Sequence, residues 1–236
     1  MFDLEYLRAM APGYDINYVP ESVSTNTELM ASESARAGSV LIAGRQSAGR
    51  GRMERAFSSP EGGLYMSVLL TPANIEEAML VTPRAAVAVS RAIERISGRA
   101  AEIKWVNDII IGGKKACGIL AEARAGESLV VVLGIGVNVS SVPAGLEIIA
   151  GAVFDEAPEL AREKLAAAIL SELQNDGDVY AEYARRCMTP GKTITVRQGD
   201  RTFAGRALGV DRSFNLVVEC NDEIIALNSG EVTTQI

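Results

Sequence analysis

The feature that most constrains the fold is an apolar run that leads directly into a loop of glycines and arginines. Ser39–Ala43 is apolar enough for a buried strand, and Gly44–Arg55 then contains four arginines and three glycines. Glycines allow backbone N–H groups to approach an anion closely. Arginines supply a planar, charged fork that suits phosphate and carboxylate. A strand that ends in such a loop predicts a binding site for a nucleotide or a small acid.

The spacing within this loop does not by itself select a known phosphate motif. Gly44 and Gly49 have the spacing of a P-loop, but Arg50 and Gly51 stand where Lys and Ser or Thr are required. Gly49 and Gly51 also open a dinucleotide fingerprint, but Glu54 replaces its third glycine. A solvated basic turn is the alternative interpretation of the same residues.

The composition of the chain limits the kinds of catalysis that it can perform. The chain has 236 residues, a formal net charge of −7 and no histidine. This length suits one large domain with a small one, and the negative charge argues against a general nucleic-acid binder. The absence of histidine excludes Ser-His-Asp and Cys-His catalysis and HExxH zinc sites. Lysine, arginine, carboxylates and amides remain, a set that suits phosphoryl or nucleotidyl transfer.

The cysteines and the N-terminus indicate a soluble cytoplasmic protein that does not enter a membrane. The three cysteines are far apart and lack CxxC spacing: Cys117, Cys187 and Cys220. This argues against a disulfide framework and for a reducing compartment. Asp3 and Glu5 make the first ten residues unsuitable as a signal peptide. No apolar run reaches the ~18 residues that a membrane helix needs.

Apolar periodicity and capping signals predict alternating strands and helices. The predicted strands are Tyr14–Val19, Ser39–Ala43, Leu64–Leu70 and a meander between Ile103 and Val139 with turns at Gly112-Gly113 and Ala125-Gly126. The predicted helices run from Thr25 to about Arg36, from Ile75 to Ile96, and from Leu160 to Cys187.

Thr189-Pro190-Gly191 is the clearest linker, and it predicts a division into residues 1–188 and residues 189–236. The tail contains short strands separated by turns: Thr193–Arg197, Thr202–Val210, Asn215–Glu219 and Glu223–Leu227. An all-strand tail of this length is typical of a small barrel.

Three further segments occur in a fixed order around the arginine loop. Ser24-Thr25-Asn26 precedes it, Lys104-Trp105-Val106-Asn107-Asp108 follows it, and Lys115 stands three residues before Gly118-Ile119. A glycine-rich strand then ends in Asn138. Together these motifs make the whole chain resemble the biotin protein ligases, whose pattern is GRGRxGR, KWPND, a lysine before GI, and a glycine-rich strand ending in Asn.

The resemblance implies an α+β fold. Its catalytic domain, similar to that of class II synthetases, would have a mixed, largely antiparallel sheet flanked by helices, followed by a small SH3-like C-terminal barrel. It also implies two half-reactions. Biotin and ATP, with Mg²⁺, would form biotinyl-5′-AMP, and the biotinyl group would then pass to a lysine of the acceptor domain of a biotin-dependent carboxylase. A homodimer is expected.

The resemblance assigns roles to residues that match the family motifs. The implied biotin-binding residues are Ser24, Thr25, Asn26, Gln46, Gly49, Arg50, Gly51, Arg52, Lys115 and Gly118. The implied ATP- or AMP-binding residues are Arg52, Arg55, Phe57, Lys104, Asn107, Asp108 and Asn138. Lys115 and Arg52 are the implied catalytic residues, and Asp108 is the implied Mg²⁺ ligand.

The chain departs from the family pattern at three positions. Glu54 replaces a glycine, Phe57 replaces a tryptophan and Val106 replaces a proline. We expect Val106 to keep an extended conformation and Phe57 to pack on the adenylate. We also expect the loop from Gly49 to Ser58 to be mobile without ligand, because its arginines repel one another.

Two other functions are consistent with the motifs. One is a lipoate or octanoate ligase of related fold, which would need a tunnel for a long acyl chain. The other is a non-catalytic biotin sensor or a small-barrel interaction protein. Many family members carry an N-terminal helix-turn-helix domain, but the Ser-Thr-Asn motif begins at residue 24. We therefore expect no DNA-binding function.

Overall fold

A computed structural model describes residues 2–126, 128–175, 177–199, 201–221 and 223–234. Its larger sheet has seven strands in the order β1-β2-β3-β7-β6-β5-β4. The strands are β1 (Asp15–Ser22), β2 (Ser39–Gln46), β3 (Leu64–Leu70), β4 (Glu102–Lys104), β5 (Asp108–Ile111), β6 (Lys114–Arg124) and β7 (Val130–Val137). Only the β1–β2 pair is parallel among these pairings.

Helices flank this sheet. They are α1 (Leu4–Met10), α2 (Thr25–Ala31), α3 (Ile75–Ser97), α4 (Ala161–Glu172) and α5 (Val179–Arg186). α3 buries Ala85, Val89 and Ile93, and these residues belong to one core with the inward faces of the strands. In the described ranges, no helix is both long and apolar enough to cross a membrane.

The predicted helices were too long at two places. α2 ends at Ala31 rather than near Arg36, because Ser32 adopts an extended conformation and its hydroxyl is paired with that of Ser34. Serine favours caps and turns over helix interiors. The predicted Leu160–Cys187 helix is two helices. α1, which the sequence analysis missed, begins where Asp3 Oδ1 accepts from the Tyr6 N–H.

The C-terminal sheet is antiparallel, with the order β11-β10-β9-β8-β12. Its strands are β8 (Thr193–Gln198), β9 (Arg201–Val210), β10 (Leu216–Cys220), β11 (Glu223–Leu227) and β12 (Glu231–Thr234). β12 was not predicted, and it pairs with β8. The predicted α+β fold class is confirmed: a mixed sheet flanked by helices is followed by a small antiparallel sheet.

The turn between β4 and β5 attaches the two sheets to each other. Trp105 is buried there; its Nε1 donates to the Phe214 carbonyl (2.9 Å) and its backbone N–H donates to Thr189 Oγ1 (3.1 Å). Tyr183 packs edge-on against Phe214 and donates to the Val106 carbonyl. Trp105–Asn107 form this turn, and the Trp105–Val106 peptide bond is cis. The extended conformation expected of Val106 stays a prediction.

Candidate active site

A cavity of about 210 Å³ lies between the face of the large sheet, the arginine loop and the start of β12. It brings together most of the residues that the sequence motifs singled out. They are Ser24, Thr25, Asn26, Gln46, Arg50, Gly51, Arg52, Arg55, Phe57, Lys104, Asn107, Asp108, Lys115 and Gly118. Segments from four distant parts of the chain therefore converge on one site.

One part of the cavity wall, which we call the buried end, belongs to a largely buried network of uncharged polar groups. The Thr25 N–H donates to Gln46 Oε1 (2.8 Å), and Gln46 Nε2 donates to Ser59 Oγ (2.8 Å). Ser67 Oγ donates to Asn26 Oδ1 (2.6 Å) and is also within 2.7 Å of Thr25 Oγ1. Such groups can exchange hydrogen bonds with a small neutral ring that carries N–H donors and a carbonyl acceptor.

Ser24 and Asn26 also have structural roles. Ser24 Oγ caps α2 by accepting from the Thr27 N–H. Asn26 needs the glycine opposite it, since a Cβ on Gly134 would lie 2.3 Å from Asn26 Oδ1. Both residues nevertheless line the cavity, so a cap and a binding role are compatible.

The cavity wall also carries five Lys and Arg residues: Arg50, Arg52, Arg55, Lys104 and Lys115. Lys115 Nζ lies 2.7 Å from Asp108 Oδ1, and Arg50 Nη2 lies 3.1 Å from Glu122 Oε1. Neutral polar groups and cations therefore line the same cavity, which can hold a ligand that has an uncharged head and an anionic tail.

Burial strengthens the electrostatics of the loop. Arg52 Nη1 donates to Asn107 Oδ1 (3.1 Å) and Nη2 donates to the Gly230 carbonyl (3.3 Å). Burial lowers the pKa of Arg52, while Asp108 and Glu231 act in the opposite direction. The hydrogen bond from Arg55 lowers the pKa of Glu231, so this carboxylate is charged at neutral pH. A guanidinium in such surroundings stays protonated and interacts strongly with an anion.

Phe57 covers two glycines of the sheet. A Cβ on Gly136 would lie 2.4 Å from Phe57 Cε1, and one on Gly118 would lie 2.9 Å from Phe57 Cε2. Lys115 Nζ lies 5.9 Å from the centre of the same ring. The Phe57 ring therefore packs against the sheet beside the candidate catalytic lysine. Only glycine at these two positions leaves room for it.

Gly49 and Asn138 are the two candidate site residues outside the cavity lining. The Gly49 carbonyl accepts from the Phe57 N–H (2.8 Å), and this bond closes the base of the loop. Asn138 Nδ2 donates to the Gly151 carbonyl (3.0 Å) and to the Lys115 carbonyl (3.4 Å). Asn138 thus supports the backbone that carries Lys115. The ligand-binding roles of both residues stay predictions.

The motif analysis did not single out Ser59, Ser67 or Glu122. The sequence did contain a signal for Glu122. Alternate residues of a strand share a face, so Glu122 lies on the same face as Gly118, which belongs to a family motif. Ser67 is the polar residue within the apolar run of β3, and it is fully buried. A lone hydroxyl at such a position requires a partner, and here the partners are Thr25 and Asn26.

The cavity wall offers carboxylates for a metal ion that arrives with a ligand. In the described part of the chain no three acidic or cysteine side chains converge into a metal-binding group. Mg²⁺ commonly uses one or two protein carboxylates together with substrate phosphates. Asp108, beside Asn107 in the wall, fits that arrangement.

Comparison with known proteins identifies the family. Residues 18–138 match the family model described as Biotin/lipoate A/B protein ligase family, and residues 189–233 match the Biotin protein ligase C terminal domain. The Bifunctional ligase/repressor BirA of Bacillus subtilis is 34% identical over 232 residues, covering 91% of this chain and 71% of that protein. The Biotin--[acetyl-CoA-carboxylase] ligase of Mycobacterium tuberculosis is 29% identical, covering 92% of this chain and 88% of that protein.

A solved structure agrees with these relatives. The biotin protein ligase from Aquifex aeolicus in complex with biotin and ATP superimposes with a TM-score of 0.77 at 26% identity. The match covers 94% of this chain and 98% of that chain. The chain therefore belongs to the biotin protein ligases within the biotin/lipoate A/B protein ligase family.

Proposed function

We propose that this chain is a biotin–[biotin carboxyl-carrier protein] ligase. It activates biotin with ATP to form biotinyl-5′-AMP and transfers the biotinyl group to a lysine in the acceptor domain of a biotin-dependent carboxylase. The observation that carries this proposal is a single cavity whose wall combines neutral polar side chains with five Lys and Arg side chains. Biotin has a neutral ureido ring and a carboxylate, and its adenylate adds a phosphate. Family membership supports the same conclusion.

Different residues of the cavity wall bind different parts of the ligand. Ser24, Thr25 and Gln46 supply the short polar groups for the ureido ring, whose two N–H donors and one carbonyl acceptor match their chemistry. Arg52, Arg55 and Lys104 supply charge for the phosphates. Phe57 offers an apolar face to the adenylate, and Asn107 offers its side-chain amide.

In the first half-reaction an oxygen of the biotin carboxylate attacks the α-phosphorus of ATP. A new P–O bond forms, the bond from the α-phosphorus to the bridging oxygen breaks, and pyrophosphate leaves with the electron pair. Two anions must meet, so the barrier falls when fixed cations offset their repulsion in a site shielded from water. Lys115 on β6 and Arg52, which contacts Asn107 and the Gly230 carbonyl, would supply these cations.

In the second half-reaction the acceptor lysine attacks the acyl carbon of the adenylate as a neutral amine. A C–N bond forms, the C–O bond to AMP breaks, and the amine releases a proton to solvent. The ligase supplies orientation here and keeps water from the adenylate until the acceptor arrives.

A metal ion, a second domain and a cellular compartment complete the proposed function. Asp108 would hold Mg²⁺ that enters with ATP and reduces the negative charge of the phosphates. Residues 1–188 would act as the catalytic domain and residues 189–236 as an SH3-like domain. The chain would work in the cytoplasm, where ATP is abundant and its three free cysteines stay reduced, and it would form a homodimer.

A binding comparison tests the substrate class. Calorimetric titration of the full chain with biotin and with lipoate should give binding for biotin and none for lipoate at the same concentrations. Biotinyl-AMP should bind far more tightly than biotin, since its phosphate reaches the Arg and Lys side chains. Preference for lipoate would favour the lipoate ligase alternative. Biotin binding without pyrophosphate release in the presence of ATP would favour the non-catalytic sensor.

A further inference from the structure

One carboxylate contacts both the buried end of the cavity and the arginine loop. Glu122 Oε2 accepts from Asn26 Nδ2 over 2.9 Å, and Glu122 Oε1 lies 3.1 Å from Arg50 Nη2. Asn26 is buried in the wall of the cavity, whereas Arg50 belongs to the loop that borders it. Glu122 thus uses its two oxygens to hold two different parts of the site.

The contact with Asn26 continues as a chain of hydrogen bonds across the buried end. Asn26 Oδ1 accepts from Ser67 Oγ (2.6 Å), and Ser67 Oγ is 2.7 Å from Thr25 Oγ1. The Thr25 N–H then donates to Gln46 Oε1 (2.8 Å), whose Nε2 donates to Ser59 Oγ (2.8 Å). Bonds in such a chain support one another in a low-dielectric interior.

This chain begins and ends at the two flanks of the loop. Glu122 holds Arg50 near the start of the loop, and Ser59 follows directly after its end at Ser58. Ser59 Oγ also lies 2.9 Å from the Phe57 carbonyl. Occupation of the buried end by a ligand is therefore linked physically to the position of both loop flanks.

The Arg50–Glu122 pair differs from an ordinary surface ion pair. A pair of half-exposed side chains contributes little, as between Arg45 and Glu21, where both are about half exposed. Arg50 is likewise about half exposed, but Glu122 is only 26% exposed and is fixed by a buried amide. The bond to Asn26 restricts the Glu122 carboxylate independently of Arg50, so less conformational entropy is lost when the pair forms.

We propose that Glu122 is a positioning residue for biotin. It orients Asn26 in the buried end and draws Arg50 toward the cavity, so that occupation of the pocket by biotin and closure of the loop depend on the same carboxylate. This inference rests on the proposed function, because it assigns a role within the biotin subsite.

The test uses Glu122→Gln in the full chain, with Glu21→Gln as the matched control for loss of an Arg–Glu pair. Pyrophosphate release is measured against biotin and against ATP. We expect the KM for biotin to rise about 10-fold, the loss typical of one charge-assisted hydrogen bond. The turnover at saturating biotin and the KM for ATP should change by less than about 2-fold, as should every constant of Glu21→Gln.

Arg50→Gln provides a second variant that leaves the buried network intact. It should raise the KM for biotin by a similar factor, and the double variant should be no worse than either single variant. Fully additive effects, or an unchanged KM for biotin in either single variant, would overturn the role of Glu122. If the unsubstituted chain itself neither binds biotin nor releases pyrophosphate, the proposed function fails and this inference fails with it.

Discussion

Arg55 of the arginine loop forms an ion pair with Glu231 of β12, although 176 positions separate them in the chain. Arg52 reaches the neighbouring Gly230 carbonyl, so the loop is attached to the C-terminal sheet at two points. We expected the loop to be mobile because its arginines repel one another. The structure gives Arg50, Arg52 and Arg55 each an acceptor, and a ligand phosphate must compete with these partners.

Lys115→Ala should leave the fold intact and lower biotinyl-AMP formation by at least ~100-fold, the loss typical of a positioned charge at a developing transition state. Lys114→Ala is the matched control, because Lys114 is exposed and donates to the Glu147 carbonyl outside the cavity. Single-turnover assays with saturating biotin and ATP compare the two. A rate for Lys115→Ala equal to that of the control and of the unsubstituted chain would mean that Lys115 has no catalytic role.

Arg52→Gly should make the chain release its adenylate early. The substitution removes the contacts to Asn107 and Gly230 and a half-buried charge from the cavity wall. Free biotinyl-AMP acylates exposed lysines, so bystander proteins mixed with the variant should become biotinylated. The measurement counts labelled albumin after incubation with biotin and ATP. Undiminished adenylate retention, with albumin unlabelled, would contradict the loop's role in retention.

Gly136→Ala should displace Phe57 from the sheet, because the added Cβ would lie 2.4 Å from its ring. Adenylate formation should therefore fall, since the ring is part of the cavity wall. Gly209→Ala is the control, as its added Cβ meets no atom within 4 Å. Initial rates of pyrophosphate release should separate the two variants, and wild-type rates for Gly136→Ala would refute this placement of Phe57.

The network that joins α3 and α5 should make stability depend on pH. Hydrogen bonds from buried Arg186 lower the pKa values of Glu94 and Glu182. Carboxylates with lowered pKa values stabilise the folded state above their unfolded pKa of ~4.3, and this contribution is lost as the pH falls through their folded values. Acidification below about pH 4 should therefore weaken the contact between the two helices.

Arg186→Ala should cost about 3 kcal/mol at pH 7, near the lower end for a broken buried pair, because both carboxylates are partly exposed. Arg185→Ala should cost less than about 0.5 kcal/mol, as its pair with Glu182 is largely exposed. Urea unfolding at pH 7 and pH 3.5 provides the comparison. The gap between Arg186→Ala and the unsubstituted chain should shrink at the lower pH, and a constant gap would contradict this account.

Much of the fold could be predicted from local patterns. The apolar run Leu64–Leu70 is a strand with the predicted bounds, and α3 extends one residue beyond the predicted Ile75–Ile96. β12 was missed, because four residues next to a Ser-Gly turn carry too little periodicity to indicate a strand. Its partner β8 is distant in sequence, and long-range pairing decides its conformation.

The candidate site could be predicted where residue type alone limits the chemistry. Lysines and arginines in a glycine-rich context pointed to phosphate, and these residues do line one cavity. Asn138 shows the limit of such reasoning. Its amide bonds two backbone carbonyls, and a sequence does not reveal whether an amide faces a ligand or the main chain. Glu122 was missed although its place in the strand gave a signal, because its partners Asn26 and Arg50 are distant in sequence.

The most direct test of the central claim is a single-turnover experiment with labelled biotin, ATP, Mg²⁺ and a carboxylase acceptor domain. Quenched samples are separated into biotin, biotinyl-AMP and biotinylated acceptor. The account predicts that biotinyl-AMP appears first, with one pyrophosphate released per adenylate, and then declines as one acceptor lysine becomes labelled. Labelled acceptor without any biotinyl-AMP, or failure to form either product when the chain is folded and biotin is bound, would contradict it.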